Sequence, residues 1–107
     1  MESNIVEILY TDACPFWKET LNTINEVMEE LNISLTVKKT KITTDEEAKR
    51  HKFPGSPTVR INGVDIDPAA KETAGYIGCR IYMYEGRTYE YPPKQMIKTA
   101  IKRLKKN

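Results

Sequence analysis

The order of hydrophobic patterns at the start of the chain constrains the fold most. Residues 5–9 form a nearly continuous apolar run, as expected for a central strand buried on both faces. From Trp17 to Leu31 apolar residues recur every three or four positions, the period of one helix face. Pro15 fits the first turn of that helix, and Asn32 can close it. Residues 33–38 then alternate like a strand with one buried face. This order predicts a right-handed βαβ unit with parallel strands.

The middle of the chain predicts a second helix and a hairpin. Thr44 and Glu47 have the spacing of a capping box, which opens a short helix that runs to about Lys52. Residues 58–61 alternate like a strand and lead into Asn62-Gly63, the strongest short-range hairpin signal. The return strand is expected over residues 64–67. Asp65 and Asp67 share one face of it, which could indicate paired carboxylates, but charges at the hairpin edge are the simpler interpretation.

The last third of the chain predicts a second hairpin and a final helix. Residues 80–84 and 87–91 flank Glu85-Gly86, and tyrosines alternate along both arms. These tyrosines either pair across the strands or form a binding surface. Residues 94–106 carry an apolar stripe that predicts a helix covering the second face of the sheet. The stripe consists of Ile97, Ala100, Ile101 and Leu104.

Composition excludes several classes of protein. A length of 107 residues with 39% apolar and 30% charged residues suits one domain spanning residues 1–107. We find no signal segment and no apolar run of membrane length, which favours a cytoplasmic protein without membrane contact. We also expect it to be a monomer. A net charge of +2 does not indicate a polyanionic partner, and the lysines of the last helix complement its dipole, so we expect no nucleic-acid partner. No motif calls for a cofactor or a resident metal.

Two motifs resemble the thioredoxin and glutaredoxin superfamily. Cys14-Pro15 stands between the first strand and helix, and Ser56-Pro57-Thr58 opens a later strand that reaches Ile61-Asn62-Gly63. The resemblance covers nearly the whole chain. It implies an α/β fold of the thioredoxin-like order β-α-β-α-β-β-α, with an extra β-hairpin before the C-terminal helix. More narrowly, residues 55–60 and Cys79-Arg80-Ile81-Tyr82 are similar to segments of small prokaryotic thioredoxin-like proteins.

The resemblance also implies roles for individual residues. Pro57 would follow a cis peptide bond beside the active cysteine, Cys14, and Ser56 would present its backbone to an incoming disulfide or peptide. Apart from the resemblance, we name Pro15 and Trp17 as further candidate substrate contacts. The chain departs from the family pattern at two positions. Trp17 replaces the second cysteine of a C-x-x-C site, and Ile8 replaces a buried carboxylate that helps to move protons.

Cys14 and Cys79 are the candidate reactive residues. A cysteine at a helix N-terminus is favoured as thiolate; Lys18 would strengthen this effect and Asp12 would oppose it. A tight Asn62-Gly63 turn returns the chain to the Cys14 end of the sheet, so Cys79 can reach Cys14 and either form a disulfide or release a mixed disulfide. Equally, Cys79 suits a small buried strand residue. We hypothesise thiol–disulfide exchange with a protein or low-molecular-weight thiol or disulfide.

Two other functions remain open at this point. Cys14, Cys79 and His51 lack the close spacing of a zinc site, although two adjacent thiols would suit a thiophilic ion such as Hg(II) or Cu(I). A thioredoxin-like domain can also act as a non-catalytic binding module. In that case Trp17 would be an aromatic contact, whereas its spacing with Leu21 and Ile24 favours packing.

Overall fold

The computed structural model describes residues 4–12, 14–67, 75 and 77–105. The predicted helices and strands are present in the predicted order, which makes this a mixed α/β fold. In chain order the elements are β1 (Ile5–Tyr10), α1 (Trp17–Leu31), β2 (Thr36–Lys41), α2 (Asp45–Arg50), β3 (Thr58–Ile61), β4 (Val64–Asp65), β5 (Tyr82–Tyr84), β6 (Arg87–Tyr89) and α3 (Lys94–Lys105).

Four strands form a mixed central sheet in the order β2-β1-β3-β4. β1 and β2 are parallel, as the βαβ pattern predicts, and β3 is antiparallel to both β1 and β4. Asn62 and Gly63 join β3 to β4 with φ angles of 52° and 86°, the left-handed pair that a tight hairpin turn requires. This turn sends the chain back toward the end of β1 that precedes Cys14.

The second hairpin, β5 and β6, forms a separate two-stranded sheet. Tyr82 lies opposite Tyr89 in its register, which agrees with cross-strand pairing of the tyrosines. The arms are shorter than predicted. Residues 68–74, at the start of the segment that leads to this hairpin, lie outside the described part of the chain.

The prediction that the last helix covers the second face of the sheet is wrong. Ile97 and Ile101 of α3 pack in the same buried cluster as Ile24 of α1, together with Val6 and Ile8 of β1. α3 therefore shares the first face with α1. Ion pairs of Lys94 and Lys98 with Glu30 also link these two helices.

The second face of the sheet is covered around α2 instead. Leu9 points to the opposite side from Ile8 because side chains alternate along a strand. It is buried with Ala48 of α2 and with Ile42 and Phe53, which flank that helix. The predicted capping box of Thr44 and Glu47 is present, so this short helix has a well-defined start.

The boundaries of β2, β4 and α1 also differ from the prediction. β2 begins at Thr36, because Ile33 and Leu35 pack against the core from the preceding loop rather than from the strand. β4 ends at Asp65, whose carboxylate accepts a hydrogen bond from the N–H of Asp67 and turns the chain away from the sheet. α1 begins at Trp17, so Pro15 precedes the helix and does not belong to its first turn. None of the helices in the described residues is long and apolar enough to cross a membrane.

Candidate functional site

Cys14 and Cys79 are joined by a disulfide bond. Their Cα atoms lie 5.9 Å apart, although the residues are separated by 65 positions in sequence. The return of the chain at the Asn62-Gly63 turn thus brings the two cysteines together, as one of the two interpretations of Cys79 predicted. The other interpretation, a buried strand residue, is wrong. Cys79 is exposed, whereas Cys14 has no exposed surface.

The loop between β1 and α1 holds Cys14. The N–H of Cys14 donates to the carbonyl of Thr11 at 3.1 Å, and the N–H of Thr11 donates to the hydroxyl of Ser56 at 3.2 Å. The helix N-cap is Phe16, so Cys14 lies two residues before it. The helix dipole acts mainly within the first turn. Cys14 is therefore farther from the helical N–H groups than the sequence predicted.

Ser56 holds the segment that carries Cys79. The N–H of Ser56 donates to the carbonyl of Gly78 at 2.8 Å, and the N–H of Arg80 donates to the carbonyl of Ser56 at 3.0 Å. These two bonds form a short parallel bridge between Ser56 and Cys79. The Ser56–Pro57 peptide bond is cis, as the resemblance implied. The backbone groups of Ser56 that were expected to receive a substrate already bind the chain's own cysteine segment.

Gly55 allows this segment to approach. Its φ angle is +123°, a region that residues with a side chain rarely adopt, and a Cβ atom there would lie 2.8 Å from the Cβ of Arg80. Only glycine avoids both the backbone strain and the collision. Gly55 therefore sets the distance at which Arg80, and with it Cys79, packs on the loop that contains Pro57.

Replacing Gly55 by alanine is expected to loosen this packing. We expect Gly55→Ala to lower the free energy of unfolding by about 1–3 kcal/mol and to speed reduction of the disulfide by dithiothreitol. Gly86→Ala is the matched control, because Gly86 also has a positive φ, 79°, but a Cβ atom added there would meet no atom within 4 Å. Equal losses in urea unfolding for the two variants would contradict a steric role for Gly55.

Arg80 is the anchor next to Cys79. Only 7% of its surface is exposed. Its guanidinium forms two bonds to the Asp65 carboxylate, at 2.8 and 3.0 Å, lies 3.9 Å from Asp67, and donates to the Thr58 hydroxyl at 3.2 Å. It also stacks on the Tyr82 ring, 4.2 Å from the centroid. Asp65 and Asp67 are therefore counterions of a buried arginine, and the interpretation as simple edge charges is wrong.

The charges around Arg80 favour its ionised state. Burial by itself would lower the pKa of the guanidinium, but the hydrogen bonds and charge of Asp65 act in the opposite direction, and the net change is upward. Arg80 thus keeps its charge in a nearly dry environment. The bidentate geometry to Asp65 fixes its orientation, which in turn fixes the direction of the chain at Cys79.

Tyr82 attaches the β5 strand to the cis-proline loop. Its side chain is fully buried, and its hydroxyl donates to the carbonyl of Pro57 at 2.7 Å. Burial raises the pKa of this phenol well above its ordinary value. Within Cys79-Arg80-Ile81-Tyr82, the first residue forms the disulfide, the second and fourth anchor the segment, and the third is 61% exposed.

Removing the Tyr82 hydroxyl is expected to lower the free energy of unfolding and to change how that free energy depends on pH above about pH 10. We expect Tyr82→Phe to lower the free energy of unfolding by about 1–3 kcal/mol, because the buried Pro57 carbonyl loses its hydrogen-bond donor. The raised pKa means that the folded state keeps a proton that the unfolded chain loses above about pH 10. The raised pKa of Tyr82 therefore contributes fully to the free energy of unfolding below about pH 10. That contribution is lost as the pH rises toward the pKa of Tyr82 in the folded state.

Urea unfolding at pH 8 and pH 10.5 tests this prediction. The loss of stability between the two values should be smaller in Tyr82→Phe than in the wild type. Tyr84→Phe, on the same strand but only half-buried, is the control for removing a phenol hydroxyl, and it should cost less stability than Tyr82→Phe at pH 8. An unchanged alkaline loss in Tyr82→Phe would show that the buried phenol does not contribute to it.

The structure places Trp17 in the packing role. Its ring stacks on Tyr10 with centroids 4.4 Å apart, and it packs against the main core. The ammonium groups of Lys18 and Lys39 lie 5.8 and 5.9 Å from the Trp17 ring centroid. Pro15 is exposed on the turn before α1. The substrate contacts expected of Trp17 and Pro15 stay predictions.

The remaining candidate residues lie apart from the disulfide or are engaged elsewhere. Asp12 forms an ion pair with Lys41 at 2.6 Å. His51 is the C-cap that follows α2, and its carbonyl accepts a hydrogen bond from the Arg60 side chain. Ile8, where the resemblance to thioredoxins implied a carboxylate in related proteins, is fully buried. In the part of the chain that the structure describes, no group of three or more acidic, cysteine or histidine residues could hold a metal ion.

Sequence patterns missed the anchoring network around Cys79. An arginine between apolar residues on a predicted strand was one signal, since buried arginines require acidic partners. Two aspartates on one face of the preceding strand were the second. Predicting that these aspartates pair with Arg80 required knowing where residues 79–80 lie in the folded chain, which no local pattern indicates. Phe16 and Tyr91 form a further contact that no pattern predicted, with ring centroids 5.5 Å apart, and it joins the start of α1 to the chain after β6.

Comparison with known proteins gives a family but not an activity. The family model described as a domain of unknown function, DUF2703, matches residues 6–101. This match includes both cysteines, the cis-proline loop and the first eight residues of α3. The chain belongs to this family. A comparison with curated proteins finds no match.

Proposed function

We propose that this protein is a thiol–disulfide redox protein with a thioredoxin-like fold and that Cys14 and Cys79 are its redox pair. One observation carries the proposal. Two cysteines 65 positions apart form a disulfide beside a cis-proline loop that binds the segment carrying one of them. The sheet order β2-β1-β3-β4 with helices on both faces supports the fold assignment.

The proposed reaction exchanges two electrons and two protons between dithiols and disulfides. In one direction, the reduced Cys14–Cys79 pair reduces a disulfide R–S–S–R′ to R–SH and R′–SH, and the protein disulfide forms. In the other direction, the protein disulfide oxidises two external thiols. The partner is a thiol or disulfide, on a protein or on a small molecule. Pro57 and Ser56 hold the segment that carries one of the two sulfurs, which is a positioning role.

The test measures exchange with a disulfide substrate. The reduced protein is mixed with glutathione disulfide, and formation of the Cys14–Cys79 disulfide is followed by mass spectrometry of alkylated samples. We expect oxidation faster than that of a monothiol such as 2-mercaptoethanol at an equal thiol concentration, because the second protein thiol reacts intramolecularly. The Cys14→Ser, Cys79→Ser double variant is the control for background reaction. A rate no greater than that of the free thiol would overturn the proposal.

A second candidate function is binding of a thiophilic ion by the reduced pair. The observation that favours it is the proximity of the two cysteines, because Cu(I) and Hg(II) accept two thiolate ligands. Titration of the reduced protein with Cu(I) in the presence of a competing chelator should then reach one equivalent. The double serine variant should bind none. Absence of stoichiometric binding to the reduced wild type eliminates this function.

The arrangement argues against a non-catalytic module that adds a peptide strand at Ser56. Both backbone groups of Ser56 bind Gly78 and Arg80, so an external strand could pair there only after displacing the Cys79 segment.

We expect the protein to be a cytoplasmic monomer. Under the reducing conditions of the cytoplasm the Cys14–Cys79 disulfide would form reversibly and would not be a permanent crosslink.

A further inference from the structure

We propose that Cys79 is the sulfur that exchanges with external partners and that Cys14 is the internal sulfur that completes the reaction. This inference rests on the proposed redox function and assigns the two halves of that site. It reverses the roles that the sequence suggested, in which Cys14 attacks the substrate and Cys79 releases the product.

Accessibility distinguishes the two cysteines. Cys14 has no exposed surface, while Cys79 is exposed. Thiol–disulfide exchange requires the attacking thiolate to reach the target sulfur, and its rate depends on which sulfur is accessible. An external thiol can therefore approach the disulfide from the Cys79 side. Attack there releases Cys14 as the leaving thiolate inside the protein.

The outward position of Cys79 follows from the way its segment is anchored. Along residues 77–83 side chains alternate between the outside and the inside, as in an extended strand. Ile77, Ile81 and Met83 are 37%, 61% and 67% exposed, and Cys79 belongs to the same outward set. Arg80 and Tyr82, which are 7% and 0% exposed, point inward and are held by Asp65 and Pro57. These two anchors determine that Cys79 faces solvent.

The loop contacts of Cys14 keep it on the inner side. Its N–H is bound to Thr11, and Thr11 is bound in turn to the hydroxyl of Ser56, the residue that carries the Cys79 bridge. Cys14 is thus adjacent to Cys79 but has no path to solvent of its own. Such a position suits a thiol that attacks only an internal neighbour.

Two successive exchange steps complete the reaction, and each forms one sulfur–sulfur bond and breaks another. In the oxidative direction the Cys79 thiolate attacks R–S–S–R′, a Cys79–S–S–R bond forms, and R′–S⁻ leaves. The Cys14 thiolate then attacks the Cys79 sulfur, the Cys14–Cys79 bond forms, and R–S⁻ leaves. The external disulfide gains two electrons and the protein dithiol loses two. In the reverse direction an external thiolate attacks Cys79, and Cys14 leaves as thiolate.

Single-cysteine variants test the assignment. Cys14→Ser retains only Cys79, and Cys79→Ser retains only Cys14. Each folded variant is mixed with 5,5′-dithiobis(2-nitrobenzoate), and release of the coloured thiolate is followed by absorbance. We expect Cys14→Ser to react at least about tenfold faster than Cys79→Ser, because accessibility limits exchange. Both variants should react completely in 6 M guanidinium chloride, which controls for oxidised or missing thiol.

A labelling experiment on the unaltered protein avoids the effects of substitution. The oxidised wild type is treated briefly with glutathione, quenched with acid and alkylating reagent, and digested with trypsin. The two cysteines fall in separate peptides, residues 1–18 and 72–80. We expect glutathione on the 72–80 peptide and the alkyl group on the 1–18 peptide.

The outcomes separate this inference from the proposed function. Glutathione on the 1–18 peptide, or a faster reaction of Cys79→Ser, would overturn the assignment of Cys79 while leaving a functional redox pair. If the reduced wild type oxidises no faster than a free thiol, the redox function fails even where Cys79 is the more reactive residue.

Discussion

Reduction of the Cys14–Cys79 disulfide is expected to lower the free energy of unfolding by about 2–4 kcal/mol. The bond closes a loop across 65 positions, which restricts the unfolded chain. It also joins the β1–α1 loop to a segment that reaches the central sheet through Ser56 and Arg80. Urea unfolding with and without dithiothreitol measures the difference directly.

Control variants separate the bond from the side chains that form it. The Cys14→Ser, Cys79→Ser double variant should have nearly the stability of the reduced wild type and should not respond to dithiothreitol. The folded structure should persist in both, because most residues of the main core belong to β1, β3, α1 and α3, which do not depend on the bond. Equal stability of the oxidised and reduced wild type would contradict a stabilising role for this disulfide.

The second large effect is expected from Asp65→Ala. This change leaves the Arg80 guanidinium, which is only 7% exposed, without its bidentate partner. Removing one member of a largely buried ion pair typically lowers the free energy of unfolding by about 3–5 kcal/mol. We expect a loss near the lower end, about 3 kcal/mol, because Asp65 is itself 18% exposed and Asp67 lies near the same guanidinium.

Two comparisons test the cause of that loss. Asp12→Ala removes a carboxylate from an exposed ion pair with Lys41 and should have a much smaller effect. The Asp65→Ala, Arg80→Met double variant should lose less stability than Asp65→Ala alone, because no buried charge remains unpaired. If Asp65→Ala and Asp12→Ala have equal effects, Arg80 is not the anchor that the structure indicates.

Asp65→Ala also tests the link between the Arg80 anchor and the proposed redox pair. Arg80 follows Cys79 directly, and its orientation holds that cysteine beside Ser56. Loss of the anchor should therefore speed reduction of the disulfide by dithiothreitol as well as lower stability. If the variant is destabilised but its disulfide is reduced at the wild-type rate, the ion pair stabilises the fold without positioning Cys79.

The sequence predicted local elements well because their signals are local. The apolar run of β1, the period of α1, the capping box of Thr44 and the Asn62-Gly63 turn each depend on residues close together in the chain. The pairing of β1 with β2 followed from the handedness and geometry of βαβ units. The sequence did not show which face of the sheet α3 covers, since β1 carries apolar residues on both of its faces and either face could receive a helix.

The site was predictable in its residues but not in its organisation. Cys14, Cys79 and Pro57 stand out in the sequence, and the structure brings the two cysteines together. Their unequal exposure depends on Arg80 and Tyr82, whose partners Asp65 and Pro57 lie 15 and 25 positions away. Gly55 matters because of the atom it faces, Arg80 Cβ, and not because of its neighbours in sequence.

A redox titration of the thiols tests the central claim most directly. The protein is equilibrated in a series of dithiothreitol buffers of increasing reducing strength, quenched with an alkylating reagent, and analysed by intact mass. We predict that the two thiols appear together in one reversible two-electron transition, and that reoxidation restores the Cys14–Cys79 bond quantitatively. Thiols that appear independently, or a bond that does not re-form on reoxidation, would contradict a redox pair.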